Sequence, residues 1–408
     1  MNPEAARRAF RLLFGAEMVS LFGSLVSRTA LPFVAILYLH ARPFEVALLA
    51  VADVIAGFAS ALVLGAWIDR LPKRPVMLGT DLARAALLAL VPLGAWMGWL
   101  DPFILICIAL ACGVLNVAFE LAYAALLPRV LPADGLLAGN SRIAAGQSVV
   151  ETLSFGSGGW LVQAFGSPFA VLVDSISFVA SAWLVFRVRI DDGGRGRADG
   201  DAWRGTWREA SEGVAILLRD PILRALAAVE FCVHGGFAMF GATFLLYLAR
   251  DLGFSPGVLG LVFAAGGLSS LAAATLAGRV SARFPAGPLM IAGLALMAFS
   301  TFLPPLATGT GLVGIALLLA QQLIGDGGHT IYQINDTTLR QTRAPAQALA
   351  RVNAGIRFCG LSARLVGALA GGLIAEFAGA RFALFVAAGW ISLAVAAALA
   401  SGLRRLGR

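Results

Sequence analysis

Long apolar runs follow one another along the whole chain, broken by short charged or Gly/Pro-containing stretches. Each run lies near or above the roughly 20 residues needed to cross a bilayer as helix. The pattern predicts twelve spans, at about 12–38, 45–66, 76–99, 102–127, 141–165, 168–187, 222–248, 256–278, 287–305, 311–336, 352–377 and 381–403. No interval between them would hold a soluble domain. The longest polar stretch, 188–220, contains Asp191-Asp-Gly-Gly-Arg-Gly-Arg, a composition that cannot bury enough surface to order itself. It separates a six-helix bundle at 1–187 from a second at 221–408. Within it, Trp203, Trp207, Ala210, Val214 and Leu218 recur at helical spacing opposite Arg204, Arg208 and Glu212. That stripe suits either a plain linker helix or one lying in the headgroup layer.

Composition agrees: 59% of the 408 residues are hydrophobic and 13% charged, against about 25% charged in soluble domains. The fold class expected is an all-α membrane protein. Its net charge of +8 does not imply a nucleic-acid partner, because the basic residues sit in loops and not on one face. It reports topology instead. With the N-terminus inside, the inner segments hold Arg7, Arg8, Arg11, Arg70, Lys73, Arg74, Arg129, the arginine-rich centre, Arg279, Arg283, Arg340, Arg343, Arg351 and the tail, while the outer loops hold Arg42, Arg250 and Arg381. The positive-inside rule then puts both termini in the cytoplasm. The N-terminal apolar run continues to Tyr38 with no small-residue cleavage pattern, so it reads as a first span and not a signal peptide. Cys107, Cys112, Cys232 and Cys359 form no CxxC and no zinc spacing, and are expected to act as small buried hydrophobes. No metal and no cofactor is expected. The partners expected are the lipid bilayer and a small-molecule substrate, with the protein a monomer in a bacterial inner membrane.

An internal repeat supports the two halves. Pro132, Leu136, Asn140 and Ile143 recur 213 residues later as Pro345, Leu349, Asn353 and Ile356. Gly158-Gly159, Gly166, Phe169 and Ala170 recur at that offset as Gly371-Gly372, Gly379, Phe382 and Ala383. Repeats in one membrane orientation imply halves related by an axis along the membrane normal. Arg70 and Arg74 match Arg279 and Arg283 at an offset of 209, with Gly278 where an acid would stand.

The charged break Gly65-Ala-Trp-Ile-Asp-Arg-Leu-Pro-Lys-Arg74 reads as a cytoplasmic hairpin between the second and third spans. Gly65, Asp69, Arg70, Lys73 and Arg74 together resemble the signature loop of major facilitator superfamily transporters. Leu127-Pro-Arg-Val-Leu-Pro132, Asn140-Ser-Arg142, Asn335, Leu339-Arg-Gln341, Arg351-Val-Asn-Ala354 and Arg357-Phe358 resemble its bacterial macrolide-efflux and enterobactin-exporter-like branch. The resemblance implies two pseudo-symmetric six-helix bundles working by alternating access. It also implies a cytoplasmic gate in which Asp69 faces the start of the eleventh helix near Asn353 and Ala354, where an anion gains about 0.3–1 kcal/mol from unsatisfied amides. Arg70, Lys73 and Arg74 would form the cationic side. Two features of the superfamily's drug/proton antiporters are missing: an arginine inside the fourth span, and a proline in Gly156-Ser-Gly-Gly159.

Ionisable groups inside spans cost about 2.5–3.5 kcal/mol to insert, which marks them as functional candidates. In the superfamily, helices 1, 4, 7 and 10 line the central cavity. The first carries Glu17 and Arg28; the fourth Asn116, Glu120 and Tyr123 on one face; the seventh Glu230 and His234, four apart; the tenth Gln321, Gln322, Asp326, His329 and Asn335-Asp336. A histidine beside an acid, or a carboxylate taken out of water, can load and release a proton. Glu120, Glu230 or Asp326 is expected to take a coupling proton, with Arg28 as countercharge and with His234 and His329 tuning the acids or touching substrate. Static inter-helix bonds are the rival use of these groups. Asp81 and Arg84, one turn apart, read as a structural ion pair, and Asp53, Glu151 and Asp174 as more peripheral. The function expected is proton-coupled export of a small amphipathic compound. A lipid flippase or metabolite uptake carrier would share these features; a membrane-embedded enzyme, which His234, His329 and the carboxylates would allow, is disfavoured because the sequence has no HExxH, no cysteine-based metal site and no serine elbow.

Overall fold

In the computed structural model, the residues described are 3–59, 68, 71–131, 136–188, 219–281, 283–343 and 349–405. All regular structure among them is helical. The long helices are α1 (Pro3–Phe33), α2 (Pro43–Ala59), α3 (Lys73–Met97), α4 (Pro102–Val130), α5 (Leu136–Phe165), α6 (Ser167–Arg187), α7 (Pro221–Leu246), α8 (Pro256–Ser281), α9 (Ala286–Thr301), α10 (Leu312–Arg343), α11 (Leu349–Ala378) and α12 (Ala380–Ala400). Among the described residues, nine helices are long and apolar enough to cross a membrane by length and composition. The other three are α2, described over 17 residues, and α5 and α10, which carry several polar side chains. Those polar residues have a use, as shown below.

Helix starts follow from the residues in front of them. Asp101 caps α4 by accepting from the Ile104 N–H at 2.8 Å, and Asp220 caps α7 by accepting from Ile222 and Leu223 at 2.8 and 3.0 Å. Each aspartate is followed by proline, whose missing N–H is no loss in a first turn.

The chain divides into two compact units: 1–40 with 55–203, and 41–54 with 204–408. In the first, α1 packs on α5 and α6, and α3 on α4 and α6. In the second, α7 packs on α11 and α12, and α9 on α10 and α12. Every pairing recurs one half later. The repeat extends to backbone detail: Gly166 and Gly379, which precede α6 and α12, have φ of +82° and +89°, values that L side chains avoid. It extends further than the sequence reading saw. The helices α1 and α7 both end in a π-helical turn, Val34–Tyr38 and Tyr247–Asp251, and Tyr38 and Tyr247 donate from their hydroxyls to the carbonyls of Ala95 and Ala307, each at 2.7 Å.

The expected N-terminal bundle 1–187 lends Ala41–Val54 to the second unit. There Arg250 Nη1 donates to the Ala41 carbonyl at 3.0 Å, and Glu376 Oε2 accepts from the Phe44 N–H at 3.3 Å. The interfacial helix expected near Trp203 lies outside the described residues. The cysteines differ from expectation: Cys107 is exposed and the other three are half-buried, with Cys232 packed against the core of the second unit.

Candidate functional site

The second unit brings a set of charged side chains onto one contact between α7 and α10. Glu230 on α7 is buried. Its Oε2 accepts from His234 Nε2 at 2.7 Å, one turn along the helix. Its Oε1 accepts from Arg340 Nη2 on α10, and the same nitrogen pairs with Asp336 Oδ2. The expected Glu230–His234 pairing is therefore present, and it is half of a larger cluster. Glu230 is 7% exposed at the side chain and His234 40%, so the histidine is the end that solvent or substrate can reach.

Formal charge gives the cluster its chemistry. Two carboxylates and one guanidinium leave a charge of −1 when His234 is neutral, and one added proton brings it to zero. In a low-dielectric interior that difference matters, because an uncompensated ion is strongly disfavoured. Arg340 is the one cation that both acids share in this cluster.

The other expected residues of α10 lie along the same helix. His329 packs edge-on to Phe237 of α7 with ring centroids 5.4 Å apart, and lies 6.1 Å from the ring of Tyr332. Asp326 and His329 do not form an ion pair. Asp326 instead lies against α8, where a Cβ added to Gly266 would collide with its Oδ2.

The first unit holds a different network. Arg84 on α3 donates Nη2 to Asp81 Oδ1 at 2.5 Å and Nη1 to Asn116 Oδ1 on α4 at 2.6 Å. The Asn116 amide then donates Nδ2 to Glu120 Oε1 at 2.8 Å. Asn116 and Glu120 do share a face, as their spacing predicts, and Glu120 is the exposed end of a chain that starts in the core. The guanidinium lies between the rings of Phe119 and Phe178, with Cζ 4.8 and 4.0 Å from the centroids, a cation–π environment on both faces.

Arg28 is exposed on α1 and makes no ion pair with Glu120, Glu230 or Asp326; the cations paired with buried acids are Arg84 and Arg340. Sequence reasoning passed over both, for different reasons. Arg84 reads as half of a local pair with Asp81, which it is, but its second contact across to Asn116 has no sequence spacing to reveal it. Arg340 counts among the inner basic residues, although its position four after Asp336 is a helical ion-pair signal. Glu17 also has a partner, Gln147 of α5 at 3.4 Å.

Of the loop residues, Gly65, Asp69 and Arg70 lie outside the described residues. Lys73 is buried, and its Nζ donates to the carbonyls of Ile68 and Leu71 at 2.7 and 2.9 Å. Arg74 donates Nη2 and Nε to the carbonyls of Phe186 and Val185, at 2.5 and 3.3 Å, at the C-terminus of α6. Both cations thus satisfy helix-end and loop carbonyls, a use beyond the expected gate charge.

The fold has known counterparts. An uncharacterized MFS-type transporter, y4rN of Sinorhizobium fredii, is 26% identical over 399 residues, covering 96% of this chain and 94% of its own. The crystal structure of the nucleoside transporter NupG is similar in fold, with a TM-score of 0.76 at 14% identity, covering 98% of this chain and 99% of its own. A bacterial homologue of the iron transporter ferroportin, in an inward-facing state, has a TM-score of 0.74 at 16% identity, covering 96% of this chain and 98% of its own. The Major Facilitator Superfamily model matches residues 13–235 and 226–406, and the chain belongs to that superfamily of multi-pass membrane transporters.

Proposed function

We propose that this protein is a secondary active carrier that exports a small amphipathic compound in exchange for protons, by alternating access. In this reading all twelve helices span a bacterial inner membrane, both termini are cytoplasmic, and the protein acts as a monomer. The observation that carries it is the Glu230 cluster. A buried carboxylate shared between a reachable histidine and an arginine on another helix is one proton short of neutrality. Loading that proton weakens the hold of Glu230 on Arg340, which still has Asp336, so protonation is linked to the α7–α10 contact. Export and an amphipathic cargo rest on the macrolide-efflux and enterobactin-exporter-like motifs, and on the half-buried aromatic Phe237 beside His329. Asp69 is proposed as the gate acid.

The test is flux in proteoliposomes under an imposed pH gradient of either sign, with lipophilic cations, macrolides, siderophores, nucleosides and divalent metal ions as the panel. The expected outcome is movement of one amphipathic class that follows the gradient and is lost in Glu230→Gln. Flux indifferent to pH and to that substitution would instead identify an uncoupled carrier or flippase.

A further inference from the structure

The first unit carries one acid too many for its buried arginine. Asp81 and Asp174 are 0% and 1% exposed and Arg84 is 1% exposed. Arg84 is electrostatically linked to both acids, and its bonding positions are largely taken: Asp81 and Asn116 hold its Nη atoms, and Phe119 and Phe178 cover its faces. Two carboxylates against one guanidinium leave one negative charge inside an apolar bundle, where such a charge is neutralised and not tolerated. Asp81 Oδ2 is buried and makes no close hydrogen bond, with the Ser181 hydroxyl as the polar group that acts on this acid beside Arg84. An ionised oxygen in that position is costly, and a protonated one far less so.

What neutralises the excess has to be small. The backbone of α1 closes directly over Asp174, since a Cβ on Gly23 would stand 2.5 Å from its Oδ1. Ser177 Oγ donates to that oxygen at 3.2 Å, and the Ser27 hydroxyl also acts on this acid. A metal cation needs a cage of several oxygens, and here a guanidinium and two phenyl rings fill that volume. A proton needs no cage. We propose that Asp81 and Asp174, the two buried acids around Arg84, together carry one exchangeable proton, as a proton-binding site in the first unit separate from the Glu230 cluster.

The site has a route to the surface of the unit. Arg84 fixes the Asn116 amide with its oxygen inward, and so turns its N–H donor toward the exposed Glu120. Loss of the shared proton draws Arg84 toward the second acid and loosens Asn116, and with it Glu120. Glu17, held by Gln147, approaches the network from α1, and Cys112 from α4. Occupancy of this site does not depend on the transport reading; only its role in coupling does.

The experiment is infrared difference spectroscopy of the purified full-length protein in nanodiscs, following the C=O stretch of protonated carboxyls and its shift in deuterium oxide. At neutral pH one component is expected to vanish in Asp174→Asn and in Asp81→Asn alike, because either leaves one acid for one arginine. Arg84→Met is expected to add a component, and Glu230→Gln to leave the shared one in place. The proposal is overturned if the component survives both aspartate substitutions, or if sodium ions at constant pH displace it. Loss of pH-driven flux with the component intact would count against the transport reading alone.

Discussion

Glu230 and Arg340 meet across two helices 110 residues apart in sequence, and Arg340 is held at the same time by Asp336 of its own helix. The guanidinium is a shared partner, so its removal differs from the removal of either acid.

Arg340→Leu is expected to leave two buried carboxylates uncompensated and to cost about 3–5 kcal/mol. The melting temperature of the detergent-purified protein reads this. Adding Glu230→Gln to that variant should restore part of the loss, because one of the stranded charges is then gone. No recovery in the double variant would mean that Arg340 stabilises by packing alone.

His234→Gln keeps a donor within reach of Glu230 but cannot accept a proton. Stability is expected to stay within about 1 kcal/mol, the size of one net hydrogen bond, while the dependence of flux on pH flattens. A profile that keeps its shape would assign the proton to a carboxylate and not to the histidine.

Lys73→Met removes the donor that Ile68 and Leu71 carbonyls share. The Ile68 carbonyl keeps the Leu71 N–H at 3.0 Å, so the loss is that of ordinary hydrogen bonds, about 0.5–1.5 kcal/mol each, and a lower melting temperature is expected. Lys73→Arg should recover most of it. If Lys73 acts as a gate charge alone, Lys73→Met would change flux and leave stability untouched.

Gly293→Ala tests the contact between α9 and α10. A Cβ there would stand 2.6 Å from the Gly328 carbonyl oxygen and 2.8 Å from the Tyr332 nitrogen. Both neighbours are backbone and cannot rotate aside, so a cost of about 1–3 kcal/mol is expected. Gly267→Ala, where a Cβ meets nothing within 4 Å, is the control and should be nearly neutral.

Much of this architecture is legible in the sequence because the membrane imposes it. Apolar length locates the helices, and the 213-residue offset locates the repeat at Gly166 and Gly379, where backbone conformation leaves little choice of residue. Pairs within one helix are equally readable: Glu230–His234 and Asp81–Arg84 follow from spacings of four and three. What spacing cannot supply is the partner on another helix. Arg84 reaches Asn116, and Arg340 reaches Glu230, through packing that depends on helix rotation. Arg28 lies at mid-span, and spacing alone does not show that it is exposed while Arg84 and Arg340 are the cations paired with buried acids. The same limit hid Ala41–Val54, whose attachment to the second unit depends on Arg250 and Glu376.

The close contact of Gly293 with Gly328 bears on how a charge event in the second unit becomes movement. Elsewhere a helix can settle against its neighbour by a change of side-chain rotamer, which absorbs small displacements. Here backbone meets backbone, and there is no such cushion. In the proposed cycle, an axial displacement of α10 that accompanied a change at Arg340 would be handed to α9 undiminished, and α9 packs on α12. The three helices would then respond as a single lever, with the glycine contact serving as its rigid joint.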